Sequence, residues 1–170
     1  VPGARVMPDQ TVTVDGRKIQ KEEEEILLAF YKPRGIICTT AASQHGEKVV
    51  NVVEYINYPK RIYPVGRLDM DSEGLLLMTN QGGMMDMILR SRYEHEKEYF
   101  VRVNKKIDEA FLKGMAQGVP ILDTVTKPCK IWKEDETGFH IIITQGLNRQ
   151  IRRMCEYFGY RVEYLRRDRV

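Results

Sequence analysis

Apolar residues occur along this chain in short runs, most of which have the period of a β-strand. Residues 26–31 and 35–39 are two such runs, and the Lys-Pro-Arg segment 32–34 between them predicts two strands joined by a turn. An alternating run over 11–14, ended by an Asp-Gly pair, predicts another strand near the start. Further strands are predicted over 62–65, 75–79, 99–103, 127–132 and 139–144.

Helical periodicity is rarer and is confined to three segments. Residues 107–117 carry apolar positions at helical spacing and are closed by a Gly-x-Pro sequence. A second helix is predicted over 84–90, and a third begins at Asn148 as N-cap and ends at Gly159. Many strands with few helices, and without regular strand-helix alternation, predict an α+β fold. We expect a mixed, mostly antiparallel sheet with a few flanking helices.

A charged run over 21–25, with four consecutive glutamates, separates the first strand from the rest of the chain. We therefore predict a boundary near residue 25, with a short unit over 1–25 and one domain over 26–170. A chain of 170 residues can bury a sizeable core without disulfides or a structural metal. No apolar run approaches the roughly 20 residues that span a bilayer, so no membrane association is expected.

Three cysteines, Cys38, Cys129 and Cys155, are far apart and show no Cys-x-x-Cys spacing. This pattern favours a reducing compartment, and we expect a cytoplasmic protein without a bound metal. The net charge is only +3, but residues 145–170 contain seven arginines and three acids. Such a local excess is typical of a phosphate-binding surface, although a solvated helix face would have the same composition.

The loop that follows residue 65 concentrates the carboxylates Asp69, Asp71 and Glu73. Their spacing matches the first half of an EF-hand calcium loop, but the twelfth position is Asn80 instead of glutamate. Gly66 also lies where the entering helix would have to be, so calcium is disfavoured. Two interpretations stay open from spacing alone: one catalytic carboxylate held by an arginine, or an ordinary acidic turn with exposed ion pairs.

Two other segments could complete a site with this loop. The arginine-rich stretch 148–153 opens a predicted helix, where cations and backbone amides together attract an anion such as a carboxylate or phosphate. Tyr99 lies on a predicted strand, and Arg102 should point to the opposite face because it is an odd number of positions, three, further along the chain. An aromatic ring beside a basic groove can stack on an extruded base, but Tyr99 could equally be a core residue.

Four segments resemble the RsuA-type pseudouridine synthases, which act on ribosomal RNA. Residues 66–69 (Gly-Arg-Leu-Asp) and 71–80 resemble their first signature, 97–99 (Lys-Glu-Tyr) the second and 146–154 the third. Residues 32–35 are similar to the Lys-Pro-x-Gly with which the catalytic domain of the family begins. The resemblance covers residues 26–170 in the family order, and it implies the pseudouridine synthase catalytic fold.

Finer similarities point to one branch of that family. The segments 95–99, 118–122, 124–127 and 152–156 are most similar to the RluF branch, which modifies 23S ribosomal RNA. Residues 1–20 resemble the tail of the S4 RNA-binding domain that precedes the catalytic domain. The resemblance therefore implies a trimmed S4 domain with its linker over 1–25, and a catalytic domain shortened at its end.

The resemblance implies a role for each motif. Asp69 would be the essential carboxylate, Arg152 its ion-pair partner, and Tyr99 the ring that stacks on the uracil. The expected RNA-binding residues are Arg67, Lys32, Asn148, Arg149, Gln150 and Arg153. The expected partner is 23S ribosomal RNA, with a transfer RNA as a possible second substrate of a monomeric enzyme. No cofactor is implied, and the rival hypothesis is a non-catalytic RNA-binding module with the same fold.

Overall fold

A computed structural model of the chain describes residues 5–20, 24–39, 49–83, 85 and 95–170. The helix predicted over 84–90 lies outside this part of the chain, apart from residue 85, as does most of the charged run over 21–25. Among the described residues, no helix is both long and apolar enough to cross a membrane.

Most of the strands belong to one sheet. The strands of this sheet are β3 (Leu27–Lys32), β4 (Tyr63–Val65), β5 (Glu73–Thr79), β6 (Lys97–Val103), β9 (Lys130–Lys133), β10 (Gly138–Ile143) and β11 (Val162–Arg169). In the part of the chain that the structure describes, their order is β3-β5-β11-β6-β10-β9, with β4 added beside β5. Among these described strands only the β5–β11 pairing is parallel, so the predicted mixed, mostly antiparallel sheet of an α+β fold is confirmed.

Two short hairpins lie outside this sheet. The first joins β1 (Val12–Val14) and β2 (Arg17–Ile19) into a two-stranded sheet of their own. The second joins β7 (Pro120–Ile121) and β8 (Thr124–Val125). The predicted strand over 11–14 is therefore part of a hairpin that pairs within itself and not with the large sheet.

Strand β5 lies next to the edge strand β3, and two different strands pair with its other edge, which makes a fork in the sheet. One edge pairs with β3 along its length, whereas the other edge is shared by two strands. Strand β4 pairs with the later part of β5, with Val65 opposite Leu77, and β11 pairs with its beginning, with Arg167 beside Gly74. The loop between β4 and β5 leaves the sheet at this fork, where neighbouring strands diverge and a crevice can open.

The strand predicted over 35–39 is wrong. Only Ile37 makes a bridge, to Asn51, and the backbone turns at Gly35, whose φ is 87°. The Gly35 amide donates to the carbonyl of Met70 at 2.7 Å, which ties this segment to the acidic loop. A left-handed turn that glycine adopts easily therefore replaces the second strand.

Three helices are bounded in the described part of the chain. They are α1 (Val52–Ile56), α2 (Glu109–Gln117) and α3 (Gln150–Tyr157). Helix α2 confirms the prediction over 107–117: Asp108 caps it by accepting from the Phe111 amide at 2.8 Å. Phe111 and Met115 form its buried face.

The core consists of two clusters of buried side chains. The larger one packs α2 and α3 against β6 and β10, and Phe111 meets Phe139 edge to face with 5.5 Å between ring centroids. The smaller cluster lies around β3, β5 and α1 and includes Leu76 and Met78. The loop between β4 and β5 carries Leu68 into the larger cluster, which anchors one side of that loop.

Candidate active site

A cavity of about 410 Å³ opens beside the acidic loop. This volume lies in the range of small-molecule binding sites. Separated parts of the chain form the wall, among them the loop between β4 and β5, the start of β6, the turn that leads into α3, and β11. Lining residues that the sequence analysis singled out are Arg67, Asp69, Tyr99, Asn148, Arg149, Gln150 and Arg152.

The acidic loop is fixed by main-chain contacts. The Ser72 amide donates to the Asp69 carbonyl at 3.1 Å and closes a turn that presents the Asp69 side chain. Across the loop, the Leu68 amide donates to the Cys38 sulfur at 3.4 Å. The Asp69 side chain keeps 39% of its surface exposed, so a ligand in the cavity can reach it.

Arg149 connects the start of α3 to the acidic loop. Its two terminal nitrogens donate to the two carboxylate oxygens of Asp71 at 3.0 and 2.7 Å, and Nη1 lies 3.6 Å from Oδ2 of Asp69. Bidentate pairing of this kind fixes both position and orientation. Arg149 has a φ of 49° and precedes the first helical residue, so it takes the N-cap position predicted for Asn148, and its side chain does not cap the helix. The Arg149 side chain therefore pairs with the acidic loop and does not cap its own helix.

Arg152 lies behind Arg149 and is almost completely buried. Its Nη2 donates to the Asp71 carbonyl at 3.0 Å and to the Ser72 hydroxyl at 3.1 Å, and lies 3.4 Å from Oδ1 of Asp71. In this structure Arg152 pairs with Asp71, two residues after Asp69, in place of the expected ion pair with Asp69. Burial lowers the pKa of Arg152, while the charges of Asp71 and Asp69 oppose that shift.

The three carboxylates of the loop have different environments. The hydrogen bond from Arg149 lowers the pKa of Asp71 against the opposing effect of burial, and the charge of Arg152 lowers it further. Glu73 accepts from the phenols of Tyr31 and Tyr164. Asp69 and Asp71 thus share the Arg149 guanidinium, whereas Glu73 binds two phenols, and no group of metal-ligating side chains is found among the described residues.

Tyr99 lies on β6 with only 8% of its surface exposed. It belongs to the larger core cluster and also lines the cavity, so both interpretations open from the sequence describe part of its position. Arg102 points away as predicted: its guanidinium pairs with Asp135 and Thr137. The pairing with Arg102 lowers the pKa of Asp135 to about 2.

Lys32, a predicted RNA-binding residue, lies inside the protein. Its side chain is completely buried, and Nζ donates to the carbonyls of Pro33 and Ile36 at 2.9 and 2.8 Å. Burial lowers its pKa, and the charges of Asp69, Asp71 and Glu73 are among the effects that oppose this shift. This buried position does not support the RNA-binding prediction, and it gives Lys32 a place inside the turn that contacts the acidic loop.

The other predicted RNA-binding residues differ in how far they are exposed at the cavity. Arg67 and Asn148 are exposed at the cavity, where a polyanion could meet them. Gln150 lines the cavity but is buried, with Oε1 accepting from the Leu147 amide and Nε2 facing Gln145. Arg153 donates to Asn148 through both Nε and Nη2 and is not among the lining residues.

The seven arginines of residues 145–170 do not form one basic surface. Alternation along β11 separates Arg166 from Arg167, and Arg166 pairs with Asp168. Arg169 pairs with Glu96 and Glu98. Positive charge is therefore partly neutralised here, and the basic part of this segment is concentrated at the start of α3.

The sequence analysis assigned no role to several other lining residues, namely His95, Lys97, Gln145 and Arg167. His95 and Lys97 lie in segments that resemble the family, whereas Arg167 lies in no quoted motif. Strand β11 was not predicted either. Its side chains differ in burial from one position to the next, but its many charged residues suggested a surface segment in the sequence.

Comparison with solved structures identifies the class of fold. A protein solved as a pseudouridylate synthase is 24% identical and matches with a TM-score of 0.77 over 96% of this chain and 70% of its own. A chain of a solved Cbf5-Nop10-Gar1 complex is 16% identical and matches with a TM-score of 0.53, over 84% of this chain and 48% of its own. The fold is that of the pseudouridylate synthases.

Sequence comparison then gives the family. The model of the RNA pseudouridylate synthase family matches residues 26–157, and the chain belongs to this family. The dual-specificity RNA pseudouridine synthase RluF of Escherichia coli K12 is 51% identical over 99% of this chain and 57% of its own length. Ribosomal large subunit pseudouridine synthase B of Bacillus subtilis is 36% identical over 98% of this chain and 69% of its own. The chain thus spans little more than half of the RluF sequence.

Proposed function

We propose that this chain isomerises a uridine of 23S ribosomal RNA to pseudouridine, with Asp69 as the essential carboxylate. The observation that supports the proposal most directly is the convergence at one cavity of Asp69, Tyr99, Arg149 and Arg152. A non-catalytic RNA-binding module would have no need of a carboxylate that is exposed to a cavity and held beside two arginines. The resemblance to RluF, whose name describes an RNA pseudouridine synthase, supports the same activity.

The reaction requires no oxidant and no external group acceptor. The bond between N1 of uracil and C1′ of the ribose breaks, the uracil rotates, and a bond forms between C5 and C1′. C5 then loses its proton and N1 gains one, so atoms and charge balance. A carboxylate that interacts with the sugar can start this sequence, and we expect no organic cofactor or metal.

Each residue of the site has a proposed part in this reaction. Asp69 is directed into the cavity by the turn that Ser72 closes. Arg149 lies with Nη1 3.6 Å from Oδ2 of Asp69 and so places a positive charge directly beside the proposed reacting carboxylate. Tyr99 provides an aromatic wall against which the uracil can lie as it rotates. Arg152 holds the loop through Asp71 and Ser72, and thereby fixes the position of Asp69 indirectly.

The proposal includes a division of the chain and a setting for it. We assign residues 1–25 to an S4-type RNA-binding unit and 26–170 to the catalytic domain. The separate pairing of β1 and β2 and the start of the family match at residue 26 support this division. We further propose a cytoplasmic monomer, with a transfer RNA as a candidate second substrate because the name of RluF includes dual specificity.

The direct test is chemical mapping of pseudouridines in 23S ribosomal RNA incubated with and without the protein. One new pseudouridine at a defined position is the expected result. Unmodified RNA that nevertheless binds with a strong salt dependence would instead support the RNA-binding module. A parallel incubation with unmodified transfer RNAs decides whether the enzyme has a second substrate.

A further inference from the structure

Arg167 is a buried arginine in the cavity wall for which the proposed chemistry has so far no role. It lies on β11 with 6% of its surface exposed. Its Nε donates to the carbonyl of Leu75 at 2.8 Å, and its Nη1 donates to the carbonyl of Arg67 at 3.3 Å. Both acceptors are main-chain atoms, so the contacts do not depend on the side chains of the residues that provide them.

These two carbonyls belong to the two ends of the acidic loop. Arg67 precedes Asp69 by two residues, and Leu75 lies in β5 just after the loop. A guanidinium is planar and its N–H directions are fixed relative to one another, so the two bonds set the separation of the loop ends. We call these two hydrogen bonds the Arg167 bracket. They involve other atoms than the contacts that Arg149 and Arg152 make with Asp71.

The main chain of Arg167 fits against the same loop. In the parallel pairing of β11 with β5, Arg167 lies beside Gly74, and a Cβ added to that glycine would be only 2.3 Å from the Arg167 carbonyl oxygen. No side chain can occupy this position without displacing one of the strands. The end of the loop is therefore held against β11 by close backbone contact as well as by the guanidinium.

The charge environment of Arg167 also distinguishes it. Arg152 and Arg149 each contact a carboxylate, whereas the hydrogen bonds of Arg167 go only to carbonyls. Among the described residues that line the cavity, Asp69 is the one acid. A buried cation is costly without a compensating charge, and its presence here favours negative charge within the cavity.

We propose that Arg167 is a positioning residue of this active site, which brackets the acidic loop and thereby fixes Asp69 relative to the bound uridine. The inference rests on the proposed function. Because the bracket acts on loop geometry, its loss should slow the chemical step much more than it weakens RNA binding. A displacement of about 1 Å at a reacting group can reduce a rate about 100-fold.

The test compares Arg167→Met and Arg167→Lys with the matched control Arg166→Met. Arg166 is the neighbouring arginine on the same strand, is paired with Asp168 and does not line the cavity. Single-turnover rates are measured from the release of tritium at C5 of uridine in a 23S transcript, with saturating protein. RNA affinity is measured by filter binding, and the folded fraction by thermal denaturation.

We expect Arg167→Met to lower the saturating rate per folded molecule about 100-fold while the dissociation constant changes by less than about threefold. Arg167→Lys keeps the charge but loses the fork, so we expect a loss of about tenfold. Arg166→Met should retain the wild-type rate. A merely structural residue would alter the folded fraction and leave the rate per folded molecule unchanged.

Two results would overturn the inference, and they differ from failure of the proposed function. If folded Arg167→Met reacts at the wild-type rate, or loses only RNA affinity, Arg167 does not position the loop. If Arg167→Met does not fold, Arg167→Lys takes its place in the test. A wild-type rate in Arg167→Lys would contradict the proposal that the Arg167 hydrogen bonds position the loop. If the wild-type protein itself releases no tritium from any ribosomal transcript, the proposed function fails and the inference fails with it.

Discussion

Arg152 contacts Asp71, with 3.4 Å between Nη2 and Oδ1, and not the proposed catalytic Asp69. The same nitrogen binds the Asp71 carbonyl and the Ser72 hydroxyl, so one buried cation holds the end of the turn that presents Asp69. The carboxylate proposed to react and the carboxylate that binds Arg152 are thus two residues apart. This separation leaves the Asp69 side chain available to a substrate.

Replacement of Arg152 by methionine should therefore impair both the loop and the reaction. We expect turnover to fall about 100-fold and the free energy of unfolding to fall by about 1–3 kcal/mol, since Ser72 and the Asp71 carbonyl lose a buried donor. The matched control is Arg161→Met, at an exposed arginine paired with Glu163, which should change neither quantity appreciably. Wild-type turnover in Arg152→Met would show that the loop does not need this contact.

Asp71→Asn should reduce stability in a pH-dependent way. The pKa of Asp71 is lowered in the folded protein, chiefly by the hydrogen bond from Arg149, so its carboxylate stabilises the fold above the unfolded pKa of about 3.9. The contribution is lost as the pH falls through the lower pKa of the folded state. Because 38% of the side chain is exposed, solvent screening keeps the effect near 1 kcal/mol.

Urea denaturation of wild-type protein and Asp71→Asn at several pH values measures this contribution. The difference in unfolding free energy should be constant from about pH 7 to 5 and should shrink below about pH 4. A difference that grows as the solution becomes more acidic would have the wrong sign. It would indicate that Asp71 is not held as a carboxylate by Arg149.

Lys32→Met should destabilise the protein without changing how RNA binding depends on salt. The substitution leaves the carbonyls of Pro33 and Ile36 without their donor, for an expected loss of about 2–3 kcal/mol. A phosphate contact would instead change the slope of log affinity against log salt by about one unit. Lys113→Met, at an exposed lysine of α2, is the control for loss of charge alone.

Alanine at Gly74 and alanine at Gly35 separate crowding from backbone strain. Both glycines have positive φ, 110° and 87°, so each substitution costs about 1–2 kcal/mol for conformation. Only the Gly74 methyl would meet backbone atoms, at 2.3 Å from the Arg167 carbonyl oxygen, whereas the Gly35 methyl would meet nothing within 4 Å. We expect a total loss of about 3–5 kcal/mol for Gly74→Ala and about 1–2 kcal/mol for Gly35→Ala. Equal losses in thermal or urea denaturation would mean that β5 and β11 can separate at this point.

Local patterns in the sequence predicted much of this fold and much less of its site. Helix α2 and strand β6 follow from apolar spacing, because most of their stabilising contacts use one periodic face. The segment 35–39 is apolar but turns at Gly35, and its hydrogen bonds go to the Lys32 side chain, to the acidic loop and to the residues at the start of α1. Strand β11 escaped prediction because charged residues mask its alternation.

The site itself depends on contacts between distant segments. Family motifs indicated Asp69, Tyr99 and the arginines at the start of α3, and the structure places these residues at one cavity. Their pairing could not be predicted, because Asp69 and Asp71 lie two residues apart in one loop and only the contact between distant segments decides which of them a guanidinium reaches. Arg167 showed no motif of its own in the sequence analysis, and its importance emerges only from the two carbonyls between which it lies.

The most direct test of the account is the single-turnover rate of Asp69→Asn on 23S RNA tritiated at C5 of uridine. The substitution preserves the shape of the side chain and removes its charge. We expect tritium release to fall below detection while RNA affinity stays within about threefold of wild type, because affinity comes mainly from phosphate contacts. Glu73→Gln, at the carboxylate that the phenols of Tyr31 and Tyr164 hold, should remain active. Tritium release by folded Asp69→Asn at the wild-type rate would contradict the central claim.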